Sequence, residues 1–461
     1  MRRLSLFPLA ATLLTFAGCF GGDKSKPQTG DASQGGAQDG TSDANVDTTR
    51  SAGSETQTDA PQTTVAVPPA PPKRQPISDS PAVAPLPDLP APALAAAPAG
   101  RTETKTFTPI ADATIHLATG RDYDERPESV GGRDYLRAKG GEDTAVIRWD
   151  LSSIKGRHIK SAQLKLLVRS EALRYLALST VTVPWVEGVS KDYAKEPGAA
   201  NFYSPVGDAS KPWGADNTSD FYSVSYGLGG SFWYKTEVEP GEGQWVIADV
   251  HPELVYAMAN GSAYSLAVYD GSGQTRTNNS FFSREAGNDK APTLVVELGA
   301  DTDAVPPSRP GSLSFSLKDM YNGELVMRFA PATDQGFLPR AFSYEACYSV
   351  DPITDFNAAT PVERFRIPHY PEPDGKFLVF MQNLPAGKPV YFAVRAVDAA
   401  GNRGPAVCAK VDLPFHTVRE FDQPAPGMIA AAGKTPSVVS VGGLDAYALP
   451  PSVRVDPITG S

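Results

Sequence analysis

The chain has 461 residues, and 41% of them are hydrophobic and 20% charged, which excludes a single small domain and suits a soluble or surface-held protein of two or three domains. Its net charge is −10, deepening to −12 if Arg2 and Arg3 leave with the first 18 residues, so nucleic acid is a poor partner. Five His and three Cys argue against a Cys/His zinc site or a cluster of thiolate ligands.

Residues 1–18 read as a signal peptide. Arg2 and Arg3 are followed by a short apolar stretch, Leu4 to Phe16, too short to cross a bilayer. Its end, Phe16-Ala17-Gly18-Cys19, resembles the bacterial lipobox, in which the Cys becomes an acylated N-terminus. That resemblance implies lipidation of Cys19 and a membrane anchor. Phe20 after the Cys, in place of an Asp, points to the outer rather than the inner membrane of a bacterial cell envelope. The plainer alternative is an ordinary secretory peptide with a chance Cys.

Residues 19–100 keep no hydrophobic period. Residues 61–100 hold 12 Pro, including Pro68-Pro69 and Pro71-Pro72. Such a stretch cannot bury enough apolar surface to offset its ordering entropy, so a disordered, Pro/Gly/Ser-rich tether is expected.

From 101 to 300 short strands with period-2 alternation take over. Ala145, Ile147 and Trp149 share one face of a run; so do Leu164, Leu166 and Val168, then Leu266 and Val268, then Leu294, Val296 and Leu298. A short helix is expected from Pro252 to Met258, with Gly261 just past its end. The pattern is all-β. Ala111 to Ile115, Asp134 to Arg137, Thr144 to Ile154, Ile159 to Val168, Trp185-Val186-Glu187, Trp245 to Val250, and Phe282 to Ala286 with Pro292 to Glu297 stand in the order and spacing of one family. The stretch resembles the DNRLRE-type domain, related to carbohydrate-binding module family 96. The resemblance implies a noncatalytic jelly roll that binds polysaccharide, including acidic polysaccharide such as alginate. Many relatives are structural. It also implies that a structural calcium ion can be held by carboxylate and carbonyl oxygens. Asp112, Asp150 and Asp249 sit at strand positions able to offer one, with no regular ligand spacing, and no ligand set is assigned.

The chain departs from that family between Lys191 and Gly243. Ten aromatics fall from Tyr193 to Tyr234, against 9% aromatics overall. Flat rings suit the apolar faces of sugars; a long loop also needs a small core of its own, and most of the ten are expected to serve it. Trp213, Trp233, Tyr234 and Tyr222 are the candidate sugar-binding residues. Phe232-Trp233-Tyr234 cannot all point one way in a strand, so at least one faces outward. Arg137, Lys139 and Arg174 could meet a uronate carboxylate, although each also reads as an ordinary solvated charge.

Residues 305–415 follow a Pro-rich junction, Val305 to Pro310. Leu313 to Leu317, Leu325 to Asp334, Tyr344 to Tyr348, Leu384 to Gly387 with Phe392, Val394 and Ala396, and Asp398 to Gly404 resemble the fibronectin type III sandwich across the whole span. The tyrosine that bonds a corner of that fold would fall at Val390. The family implies a spacer. Few contacts are expected across the junction, so the two sandwiches should separate. Cys347 and Cys408 would form a disulfide by compartment, yet strands flanking a common neighbour stand roughly 9 to 10 Å apart, beyond an unstrained bridge. Pairing is left open. Residues 416–461 read as an irregular tail.

No G-x-S-x-G, H-E-x-x-H, P-loop or C-x-x-C occurs. His116, His158, His251, His369 and His416 are scattered. Three functions compete: an anchored, noncatalytic polysaccharide binder, a structural or protein-interaction arm, and, least favoured, an unrecognised polysaccharide lyase or hydrolase. No cofactor is expected beyond that calcium.

Overall fold

The computed structural model describes residues 81–413, apart from 95–96, 172, 215–218, 242–243, 275, 320–323 and 386–387, together with residues 437–441 and 444–448. Cys19 and the tether up to residue 80 lie outside the described residues. The protein is nearly all β, built from antiparallel sheets.

β1 (Ala82–Leu89) comes first in the chain but belongs to the second sandwich. The first sandwich contains β2 (Glu103–Phe107), β3 (Ala111–His116), β4 (Ser129–Val130), β5 (Tyr135–Arg137), β6 (Asp143–Arg148), β7 (Ile159–Ser170), β8 (Tyr175–Val181), β9 (Trp233–Pro240), β10 (Trp245–Asp249), β11 (Ser265–Asp270), β12 (Ser280–Phe282) and β13 (Thr293–Leu298). One layer runs β2-β13-β7-β10 and the other β8-β11-β6-β3-β4. β9 crosses between them: Tyr234 pairs with Leu178 of β8, and Val238 with Ala248 of β10. The expected inward residues Ala145, Ile147, Leu164, Leu166, Leu266, Val268, Leu294, Val296 and Leu298 all lie in one core between the layers. The single α-helix among the described residues, α1 (Pro252–Asn260), matches the expected one. Pro252 opens it, the His251 ring accepts from the Glu253 amide, and Gly261 ends it at φ 84°, a conformation that favours glycine.

The second sandwich contains β14 (Ser314–Asp319), β15 (Glu324–Phe329), β16 (Ser343–Ser349), β17 (Thr360–Pro361), β18 (Phe377–Met381), β19 (Pro389–Val397) and β20 (Arg403–Asp412). β14-β15-β18 faces β17-β16-β19-β20, an immunoglobulin-like layout. Phe329 fills its centre, 5.0 Å from Tyr344 and 5.3 Å from Phe377. Val390 is buried, and another tyrosine hydroxyl, that of Tyr344, accepts from the Ala332 amide at 2.8 Å.

Three expectations need correcting, and the state of Cys347 and Cys408, left open by the sequence, is visible as well. The tether does not run to residue 100, because β1 pairs antiparallel with β20, Leu86 opposite Cys408. Its Pro residues are tolerated because β1 is an edge strand, whose unpaired side needs no donor. The tail holds a hairpin of β21 (Ser437–Val441) and β22 (Leu444–Ala448). Cys347 and Cys408 are both free and buried, for the reason of spacing: each sits opposite Ala393, on either side of β19. Finally, the sandwiches do not meet through a sparse junction. Phe342 and Ala399 of the second belong to the core of the first, and Phe337 and Leu338 pack against it. Phe342 stacks on Phe232 at 5.0 Å, Phe337 on His158 at 5.0 Å, and Arg340 pairs with Glu253.

Candidate functional site

The outer face of the β8-β11-β6-β3 layer is not bare. Ala113, Ile115, Val146, Val181 and Ala267 point away from the inter-layer core, yet all are buried. The chain between β8 and β9 folds back over them. Trp185, Ala200, Phe202, Trp213, Phe221 and Val224 form a second core beneath this cover. A sheet face that is apolar on both sides must be covered, and the aromatics of the insertion supply the volume.

Each candidate ring can now be placed. Trp213 is 1% exposed, packs edge-on against Phe221 at 5.2 Å, and donates its indole N–H to the Asn201 carbonyl at 2.8 Å. It is core, and its expected place in a sugar platform is corrected: the flanking Pro212 and Gly214 mark a turn, and the ring turns inward from it. Tyr234 lies at the joint between the sandwiches, stacked on His251 at 3.9 Å with its hydroxyl donating to Glu253. Phe232 faces the joint and Trp233, between the two, faces outward. Trp233 is 44% exposed and Tyr222 37%.

These last two belong to a connected row. Trp233 donates to the Tyr269 hydroxyl; Tyr269 is 4.5 Å from Tyr226, Tyr226 is 5.2 Å from Tyr222, Tyr222 is 5.4 Å from Phe202, and Phe202 is 5.3 Å from Tyr203. Trp233, Tyr222 and Tyr203 break the surface, while Phe202 and Tyr226 hold them from beneath. Adjacent rings are mostly tilted or edge-on, so the exposed faces are separate footholds rather than one flat plane. At the Tyr203 end, Arg126 sits 5.3 Å over the ring, and Asp124 fixes its guanidinium through two bonds of 2.7 and 3.0 Å. Burial pushes the Tyr222 and Tyr203 hydroxyls above their ordinary range, so both remain neutral donors at physiological pH.

A second surface gathers guanidinium groups and tyrosines. Arg133 lies 5.0 Å from the Tyr135 ring and 5.3 Å from Tyr193, Arg169 lies 4.1 Å from Tyr135, and Arg137 donates to the Tyr193 hydroxyl. Sequence reasoning named Arg137 but missed the others. The signal was present: Arg133, Tyr135 and Arg137 recur at every second position, and the last two share a face of β5. Asp143 stands 3.7 Å from Arg137 and 2.6 Å from the His116 ring. Lys139 pairs with Glu142, and Arg174 is exposed.

The three suggested calcium carboxylates are not brought together. Asp150 and Asp249 are exposed, whereas Asp112 is buried beside Glu187 and Glu285. Burial pushes Asp112 up to about 8, against the lowering effect of the Arg284 amide. Arg284 also binds Glu187, so the positive charge at this cluster is already in place. A cleft of about 400 Å³ between the sandwiches is lined by Lys155, Arg364, Arg395 and Arg403, with Glu345 bridging the last two.

No protein-family model matches the chain, and no curated protein does. Among solved structures, a β-1,2-glucanase from Parabacteroides distasonis is similar at 14% identity and a TM-score of 0.20 over 68% of this chain and 37% of that one. The chain thus spans well under half of that structure's length, and a likeness this low carries no argument about function.

Proposed function

We propose that the chain is a noncatalytic lipoprotein of the bacterial cell envelope, held at the membrane by an acylated Cys19, whose first sandwich binds polysaccharide. The observation that carries the reading is the row Trp233–Tyr222–Tyr203, three exposed rings on a rigid aromatic base. Rings spaced this way offer successive stacking faces to a chain of sugars, and their polar tips offer donors to hydroxyls. The guanidinium–tyrosine surface of Arg133, Arg137 and Arg169 supports a preference for acidic sugars, since planar guanidinium groups match carboxylates. The resemblance to DNRLRE-type and fibronectin type III domains agrees with this reading.

Affinity electrophoresis of the chain from residue 20 onward, in gels with alginate, polygalacturonate or a neutral glucan, tests it. Retardation in the uronate gels, weakened about 5- to 30-fold by Trp233→Ala (roughly 1 to 2 kcal/mol for one stacked ring), is the expected result. Retardation in none of the gels defeats it. The other reading, a structural arm without glycan binding, is favoured by the apolar joint that makes the two sandwiches one body, and would then stand.

A further inference from the structure

The joint holds three buried carboxylates side by side. Asp303 lies in the linker, Asp334 in the loop after β15, and Asp398 in the loop after β19; they are 4%, 8% and 0% exposed. One oxygen from each lies within 4.8 Å of the others. No Lys, Arg or His pairs with any of the three among the described residues.

Two of the carboxylates are held in place by the backbone. Asp303 accepts from the Val305 amide and, through its other oxygen, from the Phe337 amide, both at 3.1 Å. Asp398 accepts from the Asn402 amide at 2.7 Å and its side-chain amide at 2.8 Å. Asn402 also reaches the Asp303 carbonyl at 3.2 Å, tying linker to loop. Asp334 differs. Both of its oxygens are buried, and neither has a hydrogen bond of ordinary geometry, although the Gln335 and Gly336 amides lie near. Gly336 leaves room for the group, since a Cβ there would fall 1.7 Å from an Asp303 oxygen.

A buried carboxylate with no partner, next to two others, is costly unless a cation joins them. The donors are all oxygen, with no imidazole or thiolate, which selects a hard ion. Three carboxylates with room for carbonyl oxygens suit calcium better than the small, water-retaining magnesium. We propose that Asp303, Asp334 and Asp398 together bind a calcium ion that clamps the linker and two loops of the second sandwich at its joint with the first. The site is distinct from the carboxylates of the first sandwich and independent of glycan binding.

Isothermal titration of the chelator-treated chain, from residue 20 onward, with calcium chloride is the test. One ion per chain is expected, lost in both Asp334→Asn and Asp398→Asn. Calcium at about a hundredfold excess over its Kd should raise the melting temperature by on the order of 4 °C. The same shift should be absent from the Asn variants. Terbium luminescence of the unmutated chain covers the case in which a variant fails to fold. Tyr256 lies close enough to feel the charge of Asp303, so it should sensitise emission that calcium then quenches. Absence of calcium heat, thermal shift and terbium emission overturns the site, as does binding that survives both substitutions.

Discussion

At the scale of single residues, burial decides reactivity. Cys347 and Cys408 sit among Ala393, Ala406 and the residues around them, and burial pushes the Cys347 thiol up to about 12. Almost no thiolate exists at neutral pH. Titration with a thiol reagent without reductant should leave both unmodified in the folded protein and modify both in urea. If neither reacts in urea, they are bridged. His369 makes a pH prediction. Its ring is 3.3 Å from that of Phe232, faces Arg340 and Arg364, and stands 4.0 Å from a Glu253 oxygen. Burial first, then the two arginines, brings it down to about 2 from the ordinary 6.5. The folded state therefore resists protonation: the stabilisation is whole above pH 6.5 and is lost as pH falls toward 2. Between pH 7 and 5 this corresponds to about 2 kcal/mol. Urea melts at the two pH values should show a smaller loss for His369→Gln than for the unmutated chain.

At the scale of elements, the insertion between β8 and β9 separates core from surface. Trp213 fills the layer under the insertion, so Trp213→Ala should cost about 3 to 5 kcal/mol. Trp233→Ala removes an exposed ring and should cost under about 1 kcal/mol. Chemical denaturation of both variants measures the contrast, and equal losses would remove the distinction between them. The strands themselves were legible because period-2 alternation is local. Leu164, Leu166, Leu294 and Val296 point inward as their spacing requires. Val146 and Ala267 were not legible as buried, because the chain that covers them lies far along the sequence.

At the scale of the whole molecule, Phe337, Phe342 and Ala399 carry the core of the first sandwich across the joint. Scanning calorimetry should show one main transition rather than two independent ones. Phe342→Ala, which empties the stack on Phe232, should lower it by about 3 to 5 kcal/mol of stability or split it in two. An isolated fragment beginning near Val305 would expose these rings, and would also lack β1 beside β20, so it should melt well below the intact chain or aggregate. Melting of that fragment at the temperature of the full chain would show the joint to be energetically idle.

The sequence by itself determined the all-β class, the inward faces of most of the strands it named and the two ends of α1. All of these follow from neighbours a few residues away. Only the tertiary structure decided which aromatics face water, that a Pro-rich stretch adds a strand to the second sandwich, and that Asp303, Asp334 and Asp398 meet. Burial of a ring depends on what lies over it, and Trp213 and Trp233 differ in their cover more than in their residue type. The three aspartates are drawn from a linker and two loops of the second sandwich, so no local pattern in the sequence shows that they meet.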